Sequence, residues 1–187
     1  MTVPFWDSSP ILMQDKKKFN PTLFFWFVTA FVSGFVVLSL EMLGFRFLAP
    51  WFGYSTYVWG SLLGVIMAAL SVGYYCGGVL VDRKPESTLL MDIILIATIY
   101  LALIALFYRN VLEVLSSCGI VWGSILGSII LFGPPMALLG TVSPFLIRLL
   151  AHEETVGAVT GKIFAVSTWG SLLGTFLTSF VLIPEFG

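Results

Sequence analysis

Long apolar runs, separated by short polar stretches, are the main pattern of this sequence. A helix that crosses a membrane needs about 20 mostly apolar residues, and five segments of the chain meet that requirement. They are residues 22–44, residues 57–81, residues 88–108, the segment from Ser116 to Pro134 and Pro135, and residues 162–183. The pattern predicts an all-α fold, a polytopic transmembrane helical bundle of about five spans.

The fourth apolar run is too long for one straight span, because it continues as far as Leu150. Two adjacent prolines, Pro134 and Pro135, lie inside it. Since proline has no N–H and its ring clashes with the preceding turn, we expect a kink or a break there. It leaves residues 142–151 as a short helix near the membrane interface.

The composition supports a membrane protein. Hydrophobic residues make up 58% of the chain and charged residues 10%, whereas a soluble domain carries about 25% charged residues. A soluble chain of 187 residues would have too large a surface for so many apolar side chains to be buried away from water. The lipid bilayer is therefore the expected partner, and the net charge of −1 gives no basic face for nucleic acid.

The distribution of Lys and Arg predicts the orientation. Residues 1–20 contain no cleavage site that would suit a signal peptide, so we expect a cytoplasmic segment 1–20 and a single transmembrane domain 21–187. In this arrangement seven positive residues lie on the cytoplasmic side and two on the outside. The seven are Lys16, Lys17, Lys18, Arg83, Lys84, Arg148 and Lys162, and the two are Arg46 and Arg109. Because positive residues favour the cytoplasmic side, we predict a cytoplasmic N-terminus and a multi-pass location, in a bacterial inner membrane.

Glycines recur at four-residue spacing, which places small residues along one face of a helix. Such a face lets two helices approach closely in lipid. We therefore expect spans two, four and five inside the bundle and the third span, almost free of glycine, on the lipid side. The same faces also fit a tight interface with a partner protein, and the sequence does not distinguish this interface from packing inside the bundle. The glycines are Gly60, Gly64, Gly73, Gly77, Gly119, Gly123, Gly127, Gly157, Gly161, Gly170 and Gly174.

Glu41 and Arg46 are candidates for an intramembrane charge site. A carboxylate within a span is costly unless it is paired or hydrated. Five residues correspond to about 140° around an ideal helix, so the two side chains meet only if the helix loosens near Gly44. Three interpretations remain open: an ion pair at the helix end, a solute or proton site, and plain solvation.

A second set of charges lies at the predicted cytoplasmic turn between spans two and three. Asp82 can cap the start of the next helix, and Asp92 lies close enough in sequence to pair with Arg83 or Lys84. We expect a structural charge cluster of Asp82, Arg83 and Asp92, with a gating role as the alternative.

The sequence offers no complete catalytic or metal-binding set. His152 is its single histidine, so it supplies neither a Ser-His-Asp triad nor three convergent zinc ligands. We expect no catalytic residue, no metal and no cofactor. Cys76 and Cys118 lie toward opposite membrane faces in this topology, and we expect them to be two buried, unbridged thiols.

Three stretches of the chain carry a family resemblance. They are FVSGFVVLSLEMLGFRFLAPWFGYSTY (31–57), GYYCGGVLVDRK (73–84), and GPPMALLGTVSPFLIRLL (133–150) followed by residues 161–187. Together they resemble the membrane domains attached to spermidine-synthase-like proteins, and the second is similar to the Gly-x-Leu-x-Asp-Arg turn of the major facilitator superfamily. The resemblance implies a transporter-like membrane domain linked to polyamine synthesis. The Gly-Gly-Gly-Asp-Gly-type motif of the aminopropyltransferase domain does not occur, so synthase activity is not expected.

Three functions remain open at this point. The favoured one is a non-catalytic membrane subunit or scaffold that packs against other membrane proteins or against itself. The alternatives are a membrane anchor of a spermidine-synthase-like protein and a carrier for small solutes such as polyamines. Carriers usually contain two related repeats, and we find no internal repeat, so a carrier would need a homodimer.

Overall fold

The computed structural model describes residues 21–151 and 155–186, and over these ranges the fold is all-α, as predicted. The helices are α1 (Pro21–Phe52), α2 (Thr56–Arg83), α3 (Ser87–Ser116), α4 (Ile120–Gly140), α5 (Val142–Leu150), α6 (Val156–Leu177) and α7 (Ile183–Phe186), with a π-helical turn, Thr178–Leu182, between the last two. Five helical segments of the described chain are long and apolar enough to cross a membrane, and α4 with α5 forms one of them. The expected cytoplasmic segment 1–20 and His152 lie outside the described residues.

Short connections link the spans, so that neighbours along the chain run in opposite directions. After α1, Gly53 adopts a φ of 83° and its N–H bonds to the carbonyl of Ala49 at 2.8 Å, which is a common helix C-terminus. Ser55 then accepts a hydrogen bond from the N–H of Val58 at the start of α2. We call the side of the bundle where α1 begins the entry face and the side where α1 ends the exit face.

The fourth span is the centre of the bundle. Within its most apolar stretch 56% of the residues are buried, whereas the corresponding values for the other four spans lie between 17% and 28%. The expectation that spans two, four and five form the interior is therefore correct only for the fourth. The fifth span, which contains α6, is the least buried at 17%. Its buried glycines pack on one neighbour, α1, and most of the rest of its surface is uncovered.

Two hydrophobic clusters fill the bundle, one toward each face. The cluster toward the exit face surrounds Phe132 of α4, and the cluster toward the entry face surrounds Phe145 of α5. Leu138, close to the junction of α4 and α5, packs against both clusters. The short helix expected over residues 142–151 is thus present as Val142–Leu150, and its buried side chains form part of the core.

The helix does not break at Pro134 and Pro135, so of the two expected outcomes, a kink or a break, the break is wrong. It continues to Gly140, and α5 follows after Thr141. Pro134 cannot donate to the carbonyl of Ile130, four residues earlier. The hydroxyl of Tyr100, on α3, donates to that carbonyl at 2.7 Å. A side chain from the neighbouring span therefore replaces the lost backbone hydrogen bond, as required in lipid.

Glycine contacts bring α2 against α4 at very close range. A Cβ on Gly73 would collide with the carbonyl of Ala137, and one on Gly77 would lie 2.7 Å from the Cα of Thr141. From the other side, a Cβ on Gly140 would lie 2.9 Å from the carbonyl oxygen of Leu70. Backbone therefore lies directly against backbone, and no larger residue fits at these positions.

The same type of contact joins α1 to α6. A Cβ on Gly170 would collide with the carbonyl of Phe31, and one on Gly174 with the carbonyl of Phe35. The hydroxyl of Ser171 also donates to the carbonyl of Gly34 at 3.1 Å. The partner residues advance by one turn on both helices, so α1 and α6 run parallel.

Adjacent glycines on α2 allow a matched test of the close α2–α4 contact. We expect Gly77→Ala to lower the free energy of unfolding by about 1–3 kcal/mol, the usual cost of overpacking. Gly78→Ala adds the same methyl group where nothing lies within 4 Å, so we expect no loss. Thermal unfolding of both variants in detergent measures the difference, and equal midpoints would contradict the described packing.

A double-mutant cycle tests the hydrogen bond between Tyr100 and Ile130. Tyr100→Phe leaves a carbonyl without a donor, and we expect it to cost about 1–3 kcal/mol. In a Pro134→Ala background the backbone N–H of residue 134 satisfies that carbonyl, so Tyr100→Phe should cost much less. Thermal unfolding of the four proteins gives the coupling energy, and an equal cost in both backgrounds would show that the hydroxyl does not replace the missing donor.

Candidate functional site

Glu41 and Arg46 do not form an ion pair. Both lie in α1, which continues without interruption through Gly44 because that residue packs tightly beneath Leu62 and Phe132. The helix does not loosen, so the two side chains keep their angular separation of about 140°. Within the described chain, no basic group lies within ion-pair distance of the half-buried Glu41.

A buried hydroxyl lies close to the depth of Glu41. Thr178, in the π-helical turn, is fully buried, and its Oγ1 has no hydrogen-bond partner in the described structure. This turn contacts α1. The register that sets Gly174 on Phe35 places Thr178 level with Ser39, about 3 Å along the axis from Glu41. Ser39 and Glu41 are about 200° apart around α1, so Thr178 and Glu41 lie on different sides of that helix. π-helical turns are frequent at functional sites, so the surroundings of Thr178 are a candidate for solute binding separate from Glu41.

The charges at the entry face pair differently from the expectation. Asp82 lies 3.5 Å, through its Oδ1, from the Nε of Arg148 on α5, and both side chains are more than half exposed. Asp82 does not cap α3, because the residue at that position is Glu86. The expected pairing of Asp92 with Arg83 or Lys84 is not found in the described structure, and all three side chains are exposed. An exposed pair contributes little stability, but this one joins the ends of α2 and α5.

The predicted glycine faces divide into two groups. Gly73, Gly77, Gly123, Gly127, Gly170 and Gly174 lie against neighbouring helices, where a Cβ would be in contact or collision. At Gly60, Gly64, Gly157 and Gly161, by contrast, a Cβ would meet nothing within 4 Å. Gly119 belongs to neither group, because it forms the turn before α4 with a φ of 81° and faces open space.

The open glycines continue into two exposed faces of small residues. On α2 the face consists of Gly60, Gly64 and Ala68, and we call it the α2 outward face. On α6 it consists of Gly157, Gly161 and Ala165, the α6 outward face.

Both outward faces lie opposite an internal contact. Gly64 and Gly73 are nine residues apart, as are Gly161 and Gly170. Nine residues make two and a half helical turns. Each helix therefore has small residues on two opposite sides, and the described chain covers one of the two.

The chain contains a repeated hexapeptide, contrary to the expectation of no internal repeat. Trp-Gly-Ser-Leu-Leu-Gly occurs at residues 59–64 and again at residues 169–174. In α6 its two glycines pack on the backbone of α1, whereas in α2 they face outward. Comparing the spans with one another would have revealed it, and the structure shows that one copy joins two helices.

A polar cleft lies between α1 and α3 at the exit face. It has a volume of about 560 Å³, and Arg46, Arg109, Asn110 and Glu113 provide its polar lining. The ring of Tyr108 forms part of the wall and lies 4.9 Å from the ring of Phe47, centroid to centroid. From the sequence, Arg46 was a candidate only for a site with Glu41, and Arg109 entered only the prediction of orientation, because nothing local shows that the ends of α1 and α3 meet.

The two cysteines differ from the expectation of buried thiols. Cys76 lies on α2 and Cys118 follows α3, so they are toward opposite ends of the bundle, and both are unbridged as expected. Both are nevertheless exposed at the surface of the chain. The described residues contain no group of three or more His, Cys, Asp or Glu side chains that could hold a metal ion.

Comparisons with protein-family models, with curated proteins and with solved structures found no match to this chain.

Proposed function

We propose that this chain is a non-catalytic subunit of a membrane-protein assembly, and that partner transmembrane helices pack against its α2 and α6 outward faces. The observation that carries the proposal is the pair of exposed small-residue faces that nothing in the described chain covers. A helix that contacts only lipid has no need of such a face, whereas helix–helix interfaces in membranes are enriched in small residues.

The repeated hexapeptide supports this proposal from within the molecule. At residues 169–174 it joins α6 to α1, through two glycines on backbone carbonyls and a serine hydroxyl on a third. The copy at residues 59–64 presents its glycines outward. The copy at residues 59–64 could therefore bind a partner helix that resembles α1. Such a helix would have small residues, like Ser33 and Gly34 of α1, and accessible backbone carbonyls.

The two outward faces lie at different depths. Gly60 and Gly64 are in the first turns of α2, toward the exit face, and Gly157 and Gly161 are in the first turns of α6, toward the entry face. The two helices do not pack extensively against one another in the described fold. The proposal therefore requires two separate contacts, either with two partner helices or with two surfaces of one assembly.

Mild detergent extraction from the native membrane, followed by mass spectrometry of what co-purifies, tests the proposal. We expect the wild-type chain to carry other membrane proteins, or further copies of itself, in fixed stoichiometry. Gly64→Leu should release the partner at the α2 outward face, and Gly161→Leu the partner at the α6 outward face, because the added side chain holds the helices apart.

Ala105→Leu on α3 is the matched control for added bulk, because Ala105 is exposed and lies on the one long span without glycine. It should leave the assembly intact. Recovery of the wild-type chain as a lone monomer, or of unchanged assemblies in both glycine variants, would refute the subunit proposal.

A solute carrier is a second candidate, favoured by Glu41. Its half-buried carboxylate has no basic partner in the described chain. An acidic group within a span is a default candidate for binding a cation. The family resemblance supports a polyamine as that cation.

Uptake by proteoliposomes tests the carrier candidate. If Glu41 is the counter-charge, Glu41→Gln should reduce polyamine uptake to the background of empty liposomes without changing the unfolding temperature. Asp92→Asn removes an exposed carboxylate from α3 and should leave uptake unchanged. Equal uptake by the wild-type protein and Glu41→Gln would exclude this role for Glu41, and absence of uptake by the wild-type protein would exclude the carrier.

The resemblance to membrane domains of spermidine-synthase-like proteins supports a further version of the subunit proposal, in which the chain anchors such an enzyme. The extraction experiment also tests this version. A polypeptide much heavier than 20.5 kDa that contains this sequence, or a stoichiometric synthase partner, would favour it.

A further inference from the structure

The polar cleft between α1 and α3 lies at the boundary of the hydrocarbon region. On α3, residues 93–108 carry no charged side chain, and Asp92 and Arg109 flank them. Their seventeen-residue separation spans about 25 Å along a helix, close to the thickness of the hydrocarbon core of about 30 Å. Arg109, and Arg46 in the same cleft, therefore lie at the depth of the lipid phosphate groups at the exit face.

The cleft combines two positive charges that the described chain does not neutralise. No carboxylate lies within ion-pair distance of Arg46 or Arg109 in the described residues, although Glu113 lines the same cleft. The Nε of Arg109 donates to the hydroxyl of Tyr108 at 3.2 Å, which leaves its terminal nitrogens for another acceptor. Two guanidinium groups and the amide of Asn110 are the donors that a phosphate oxygen needs.

Glu113 adds a carboxylate to this positive cleft. It lies one turn beyond Arg109 on α3, so the two side chains share a face of the helix. A carboxylate repels a bare phosphate but accepts hydrogen bonds from a primary ammonium group. The charge pattern is thus complementary to a headgroup that carries both a phosphate and an amine.

Exposed apolar side chains on α3 lead from the cleft toward the middle of the bilayer. Leu106 lies one turn before Asn110, and Leu103 and Ile99 continue along the same side of the helix. All three are exposed at the surface of the chain, and we call them the α3 apolar strip. A lipid that places its headgroup in the cleft can lay an acyl chain along this strip.

We propose that the cleft and the α3 apolar strip together bind one phospholipid with an ethanolamine headgroup, phosphatidylethanolamine, from the exit-face leaflet. Arg46 and Arg109 bind its phosphate, Glu113 binds its ammonium group, and an acyl chain lies along the strip. This site is independent of the proposed function, since it uses α1 and α3, whereas the outward faces lie on α2 and α6.

Native mass spectrometry of the delipidated protein with added lipid tests this site. The wild-type chain should bind one phosphatidylethanolamine molecule in preference to phosphatidylcholine, whose quaternary ammonium cannot donate a hydrogen bond, and to phosphatidylglycerol, which has no amine. This comparison needs no variant, and equal retention of the three lipids would overturn the proposal by showing non-selective lipid around the protein.

Substitutions locate the site. The double variant Arg46→Gln, Arg109→Gln should bind phosphatidylethanolamine about tenfold more weakly or worse. Glu113→Gln should still bind a phospholipid but lose the preference for the amine. Arg83→Gln removes an exposed arginine at the entry face and serves as the control. Binding by the double variant equal to that of Arg83→Gln would overturn the proposal.

Inorganic phosphate distinguishes a lipid from a free anion. The α3 apolar strip contributes to lipid binding alone, so millimolar inorganic phosphate should not displace the bound phosphatidylethanolamine. Displacement at that concentration would overturn the lipid assignment and make the cleft a site for a soluble phosphate anion.

Discussion

The close approach of backbone to backbone at glycines is the contact on which the rest of the fold depends. Lipid tails are as apolar as leucine side chains, so spans in a bilayer gain little by hiding apolar surface from lipid, and tight packing has to hold them. At Gly73 and Gly77 that packing fixes α2 on the central span, and at Gly170 and Gly174 it fixes α6 on α1. The two hydrophobic clusters, the Tyr100 hydrogen bond and the Asp82–Arg148 ion pair all lie between helices that contacts of this kind bring together.

The surface divides into regions with different chemistry. Spans α2 and α6 present small residues outward, which suits helix partners, whereas α3 presents large aliphatic side chains and contains no glycine. The charged residues collect toward the two faces, apart from Glu41. The proposed protein contacts and the proposed lipid site therefore occupy separate helices, and neither obstructs the other.

The sequence predicted what depends on local composition. Five spans and the helix near residues 142–151 follow from the length of the apolar runs, and the structure confirms them. The continuous helix at Pro134 could not be predicted, because the donor that compensates for it, Tyr100, lies on another span. The partner of Asp82 is likewise Arg148, two spans further along the chain. Gly64 and Gly73 look equivalent in sequence, since a small-residue face suits an internal and an external neighbour equally well. The cleft at Arg46 and Arg109 could not be predicted either, because it forms only where the ends of two spans meet.

The pairing of α1 with α6 also sets an order of events during synthesis. Gly34, on α1, and Ser167, on α6, are 133 positions apart, and a ribosome adds about 5–20 residues per second. Ser167 is therefore added roughly 7 to 27 seconds after Gly34, and until then the α1 side of this contact has no α6 to pack against. During that interval the nascent chain exposes in the bilayer a surface shaped to receive a helix. A chain truncated before α6 would keep this surface exposed, because α6 is the helix that covers it in the described fold.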